Sequence, residues 1–225
     1  MKFINLDKQY IDIKEEIHKA IKTVLEHGQY IMGPEVYLLE NQLADFVNRK
    51  HVISCSSGTD ALLMSLLALE IRPGDHIITT PFTYVATAEV VHLLGAKPVF
   101  VDIDSETFNI DFNCIEHLLQ KNPQKYKAII PVNIFGLLAD YNSSYYLSEK
   151  YGIKIIEDAA QSFGASYEGK KSCSFGDISC TSFYPAKPLG CYGDGGAIFT
   201  DSDKLAKDLK SIREHGAGDS KYNNV

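Results

Sequence analysis

Five short apolar runs, each separated from the next by a helical segment, constrain this chain more than anything else in it. They are His51–Cys55, HIITT (76–80), KPVFVD (97–102), KAIIPV (127–132) and IKIIED (153–158). Between them lie ALLMSLLALE (61–70) and segments near 85–94, 111–120 and 140–151, all with helical patterning. Strand and helix in strict alternation imply an α/β fold, a mostly parallel sheet sandwiched by helices. Ligands in such folds sit beyond the carboxyl ends of the strands. Those ends read SSGTD, PFTY, DID, NIFG and EDAAQS, and they are expected to converge on one crevice.

The flanks extend this pattern. Residues 1–27 read as an amphipathic helix after a short lead, with Ile13, Ile17, Ala20, Ile21, Val24 and Leu25 at near-helical spacing. A loop, GQYIMGPEV, precedes a helix near 35–48 that starts at Pro34 and carries Val36, Leu39, Leu43 and Phe46 on one face. Near the end, GGAIFT (195–200) reads as a strand. DSDKLAKDLKSIREHG reads as a helix capped by Asp201 or Ser202 and stopped by Gly216, with a polar, loop-like tail after it.

The 225 residues allow one large domain or two small ones. A net charge of −7 disfavours nonspecific nucleic-acid binding. No run approaches the roughly 20 apolar residues of a membrane span, and acidic residues interrupt the N-terminus before a secretory core could form. A cytoplasmic protein is expected, with no membrane and no nucleic-acid partner. The five cysteines are odd in number and lack CxxC spacing, and the seven histidines form no HExxH. Neither a disulfide framework nor a metal site is expected.

Three stretches carry chemistry. In SCTSFYPAKPLGCYGDGG (179–196), Lys187 stands between Pro185 and Pro188, and glycines follow at 190, 193, 195 and 196. Proline and glycine break helices and central strands, so the whole stretch is expected to be a loop that fixes one amine. An isolated lysine is usually solvated. Here Phe183, Tyr184, Leu189 and Tyr192 flank it, which points to a pocket wall and a depressed lysine pKa. At Ser56–Asp60 a strand runs through a small-residue turn into a helix N-terminus. That geometry suits a phosphate, and on these residues alone plain N-capping without a ligand is the commoner explanation. Asp158 ends the most apolar strand, beside Glu157. It is either an N-cap or a buried carboxylate that should have a cationic partner, and Gln161 lies one turn on.

Together SSGTDAL, PFTYVATAE, EDAAQSFGA and SFYPAKPLGCYGDGG resemble the DegT/DnrJ/EryC1/StrS sugar aminotransferases, which use pyridoxal 5′-phosphate (PLP) on the aspartate-aminotransferase-type fold. GQYIMGPEV and ASYEGKKSC extend the resemblance to the subgroup that aminates UDP-2-acetamido-2-deoxy-3-oxo-glucuronate on the way to surface polysaccharides. The resemblance implies that Lys187 forms the Schiff base with the cofactor and then acts as general acid/base. It implies that Asp158 pairs with the pyridinium nitrogen, Gln161 lies near the phenolic oxygen and Tyr84 stacks on the ring. Gly58, Thr59 and Ser182 match the phosphate-binding positions. L-Glutamate is the implied amino donor and a homodimer the implied assembly.

In relatives the chain continues after KYNN into a GxNxR stretch and a smaller C-terminal domain. Residues 1–225 are therefore expected to be the PLP-binding large domain, with the small domain missing. The other readings are a different UDP- or dTDP-4-keto-sugar aminotransferase and an inactive fragment or binding protein on the same fold. A PLP-dependent sugar dehydratase would have histidine where Lys187 stands. A nucleotide dehydrogenase would need a GxGxxG after the first strand, which the sequence lacks.

Overall fold

In the computed structural model, which describes residues 4–217, the apolar runs become the strands of one seven-stranded sheet. In chain order the elements begin with α1 (Leu6–His27), α2 (Pro34–Val47), β1 (His51–Cys55), α3 (Gly58–Ala68), β2 (His76–Thr79) and α4 (Ala86–Leu93). β3 (Lys97–Phe100), α5 (Phe112–Lys121), β4 (Tyr126–Ile129), α6 (Tyr141–Tyr151) and β5 (Lys154–Asp158) follow. A two-stranded hairpin comes next, β6 (Ser166–Tyr167) with β7 (Lys170–Lys171), and then β8 (Ile178–Ser182), β9 (Gly196–Thr200) and α7 (Asp203–Arg213). The first three residues of the N-terminal segment and residues 218–225 of the tail lie outside the described residues.

The sheet order is β1-β9-β8-β5-β4-β2-β3. The pairs β8/β5, β5/β4, β4/β2 and β2/β3 are parallel, and β9 runs antiparallel to both its neighbours, β1 and β8. Consecutive strand residues point to opposite faces, and the two cores follow from that. Ile77 and Ile156 join Leu62, Leu66, Val90 and Leu209 from α3, α4 and α7. Ile78 and Ile155 join Ile115, Leu119, Tyr141 and Leu147 from α5 and α6. Strands buried on both faces explain why the runs are continuously apolar rather than alternating.

Two expectations change. Ser179–Ser182 is not loop. It belongs to β8, paired with β5 on one side and β9 on the other. The chain breakers begin only at Pro185, so they leave these four residues free to enter a central strand. The face of α2 also differs, burying Glu40, Leu43 and Val47. Glu40 accepts from the Ser54 N–H at 2.8 Å and pairs with Arg213 at 2.6 Å, which turns the helix toward β1 and α7.

Helix α1 forms as expected, with Asn5 as its N-cap and Gly28 (φ +70°) closing it. None of its residues is buried, and Ile11, Ile21 and Leu25 are more than half exposed. Its apolar face is therefore open. Among the described residues no helix is long and apolar enough to cross a membrane, and no group of three or more His, Cys, Asp or Glu side chains could hold a metal ion.

Candidate active site

The site is built from strand ends. β1 leads into Ser57, whose Oγ accepts from the Asp60 N–H at 3.0 Å and caps α3. A helix start leaves its first N–H groups without intrahelical partners, and here these belong to Gly58 and Thr59. Two glycines permit the packing around them. A Cβ on Gly58 would lie 2.7 Å from the Ser182 Cβ, and one on Gly196 would lie 2.5 Å from the Ser57 carbonyl. The ends of β8 and β9 thus press on the turn and shape a small concave cradle at the positive end of α3.

Asp158 forms the floor. It is 5% exposed at the end of β5. Thr87 Oγ1 donates to its Oδ2 at 2.8 Å, and the Ala160 N–H donates to Oδ1 at 3.2 Å. The Thr83 hydroxyl lies 3.0 Å from that of Thr87 and extends the chain. Burial pushes the Asp158 carboxyl above its ordinary pKa, while the Thr87 and Ala160 hydrogen bonds and the charge of Lys187 pull it back. The direct partners of Asp158 are therefore neutral, where a cationic one was expected. Lys187 acts on it through space, and the carboxylate faces a cavity able to receive a further cation.

Lys187 is held by a tightly closed loop. The Phe183 N–H donates to Gly195 O at 2.7 Å, and the Cys191 N–H donates to Phe183 O at 2.8 Å, so the two ends are tied together. The Lys187 N–H donates to Tyr184 O at 2.8 Å. Gly190 lies where a Cβ would be 2.4 Å from the Pro185 carbonyl oxygen, so the loop folds flat on itself. The amine is half-buried, and that burial lowers its pKa, with Asp158 opposing.

Gly58, Thr59, Tyr84, Asp158, Gln161, Ser182 and Lys187, all singled out in the sequence, line one cavity of about 520 Å³. Ser57, Thr83, Thr87, Ala160 and Asp194 line it too and were missed. Thr87 left a signal, a second hydroxyl one helical turn after Thr83 in PFTYVAT. Glu157, the other acidic residue of β5, does not line the cavity. It points to the opposite face of the sheet, fully buried, and accepts from Asn133 Nδ2, Ser172 Oγ and the N–H groups of Cys173 and Phe175. Burial pushes its pKa up and these donors hold it down, so its role is to anchor the segment after β7. The five cysteines are free thiols.

The site can therefore offer an anion cradle at a helix start, a buried carboxylate for a cation and a half-buried amine. Residues 11–225 match the profile of the DegT/DnrJ/EryC1/StrS aminotransferase family. The UDP-2-acetamido-2-deoxy-3-oxo-D-glucuronate aminotransferase of Pseudomonas aeruginosa is 54% identical over 225 residues, which is 100% of this chain and 62% of that protein. A DegT DnrJ EryC1 StrS aminotransferase from Brucella abortus superimposes with a TM-score of 0.96 at 46% identity, covering 100% of this chain and 61% of that one. NtdA of Bacillus subtilis, solved with bound cofactor PMP, gives 0.92 at 34% identity, covering 100% and 51%. The chain spans about six tenths of the length of the curated relatives it matches.

Proposed function

The chain belongs to the DegT/DnrJ/EryC1/StrS aminotransferase family, and on that premise we propose that it serves the PLP-dependent transamination of a nucleotide-linked keto-sugar. The proposed substrate is UDP-2-acetamido-2-deoxy-3-oxo-glucuronate, and the proposed amino donor is L-glutamate. The observation that carries this reading is one cavity holding both the half-buried Lys187 and the buried Asp158, under the N-terminus of α3.

The residues present fit the cofactor. Its phosphate suits the cradle of Gly58, Thr59 and Ser182, where free N–H groups meet a closely packed turn. Its ring nitrogen suits Asp158, a buried carboxylate whose direct partners are neutral. Tyr84 and Gln161 stand at the wall of the same cavity, for the ring face and the phenolic oxygen. When bound, PLP supplies an electron sink for a carbanion at the substrate carbon.

The chain's own residues do the rest. Thr87 and Ala160 orient Asp158 and favour its ionised form against burial. The Phe183–Gly195 closure ties down the loop that carries Lys187 at the cavity it shares with Asp158. Lys187, whose pKa burial depresses, takes the proton from the amino-bearing carbon of the donor and returns it on the acceptor side. A dehydratase would need an imidazole in that role, and Lys187 disfavours that reading. We further propose that residues 1–225 form the large domain of a two-domain enzyme, and that the open apolar face of α1 with the GQYIMGPEV loop pairs with a second copy in a homodimer. A biosynthetic setting in the cytoplasm accords with this substrate.

The test is an absorbance titration with PLP followed by L-glutamate. A visible band should form and then shift to the near-ultraviolet, and amine should next transfer to the UDP-linked 3-keto-sugar. A parent protein that gives no visible band refutes the cofactor assignment. The pH behaviour of Lys187 is a separate test. Labelling of Lys187 by a small amine-reactive reagent, followed by mass spectrometry, should have its midpoint below the roughly 10.4 of a free lysine. Asp158 raises the Lys187 pKa, so Asp158→Asn should move that midpoint further down. An upward move contradicts the geometry.

A further inference from the structure

Three phenylalanines form an exposed aromatic cluster at the strand ends. Phe82 follows β2, Phe108 follows β3 and Phe135 follows β4. Their ring centroids lie 5.9 Å (Phe82–Phe108), 5.9 Å (Phe82–Phe135) and 6.0 Å (Phe108–Phe135) apart. They are 41%, 43% and 68% exposed in chain order. Three large rings left open together on a protein surface are uncommon and mark contact sites. Phe108 also holds a left-handed backbone at φ +60°, a conformation that costs a bulky residue energy and gathers at functional places.

The cluster adjoins the cavity. Thr83, Tyr84 and Ile134 line the cavity, and Phe82 and Phe135 are their chain neighbours. At Gly136 the loop after β4 comes close to Gln161, with an added Cβ 3.5 Å from the Gln161 carbonyl oxygen. A cavity of about 520 Å³ has room for a cofactor and a sugar ring, and the nucleoside end of a sugar nucleotide has to leave it across the rim. The charged residues in the segment that leads to Phe108 are Asp102, Asp104 and Glu106. An acidic surround repels the diphosphate and accepts a neutral aromatic ring.

Resting on the proposed function above, we propose that Phe82, Phe108 and Phe135 form the stacking platform for the base of the nucleotide-linked substrate. Every base presents a π-face, and stacking on aromatic side chains is a strong, sequence-tolerant contact. The platform selects a nucleotide handle, and the cavity selects the sugar.

The test is calorimetric titration of the PLP-loaded chain with UDP. The parent is compared with Phe82→Leu/Phe135→Leu, which keeps apolar bulk and removes two ring faces. The double variant should bind UDP about 10-fold more weakly or worse, and its visible cofactor band should remain. Equal UDP affinity in parent and variant overturns the proposal, as does a parent that does not bind UDP. A halved particle mass in the variant with UDP affinity unchanged also overturns it and makes the cluster an interface between copies. Failure of the functional reading is separate, because it appears as a parent with no visible band at all.

Discussion

Lys187→Ala should lower the glutamate half-reaction about 10⁴-fold or more and leave the fold intact. The amine is the group that moves the proton, and a positioned acid/base contributes at least two to four orders of magnitude. Loss of the nucleophilic amine adds to that. Stability should change little, because the side chain is half-buried at a loop held by its backbone bonds, Phe183 to Gly195 and Cys191 to Phe183. Lys187→Arg separates charge from chemistry. Guanidinium stays protonated at all working pH and cannot accept the proton. It should therefore be as inactive as the alanine variant despite keeping the positive charge near Asp158. Single-turnover absorbance after mixing with L-glutamate is the measurement. An arginine variant retaining more than about 1% of the parent rate would sink the role given to Lys187.

Asp158→Asn should cost on the order of 10³-fold in the same half-reaction while stabilising the cofactor-free protein. Activity falls because a neutral amide no longer matches a protonated ring nitrogen. Stability rises because burial holds the folded-state pKa of Asp158 above its unfolded value. A carboxyl raised in this way adds stability that is full below the unfolded pKa of about 3.9 and is lost as pH rises through the folded value. The parent should therefore lose ground to the variant between acid and neutral pH, and the gap should stay constant above that window. Paired urea melts across pH 3–8 measure it. A gap that shrinks as pH rises would reverse the sign and show that hydrogen bonds from Thr87 and Ala160 outweigh burial.

Much of the fold was legible because the central strands β2, β4 and β5 are largely buried on both faces, so the same residues that make strands also make continuous apolar runs. β8 was harder. Its residues ISCTS merge without a break into the proline- and glycine-rich lysine loop, and local composition hid a strand that tertiary pairing with β5 and β9 creates. The β6–β7 hairpin has strands of two residues each, too short for any periodicity. Its only sign is Glu168-Gly169, both with positive φ, as a tight hairpin turn demands. The site residues carried to this chain by family resemblance all reached one cavity. Thr87 escaped notice because a threonine inside a helix looks ordinary until the β5 carboxylate is seen beside it. Glu157 was grouped with Asp158 because neighbours in a sequence look alike, yet alternation in a strand sends them to opposite faces.

The antiparallel strand β9 has a consequence for how the protein is made. Within the sheet, β1 pairs with β9 alone, and Gly196 at the start of β9 closes against Ser57. A growing polypeptide that has emerged only as far as the lysine loop can assemble β2 to β5 from short-range crossovers, but its first strand has no neighbour to dock on. The turn at Ser57 and Gly58 is thus finished only once Gly196, well over 100 residues further along the chain, has emerged. Until β9 arrives, β1 is an unpaired apolar edge open to wrong partners.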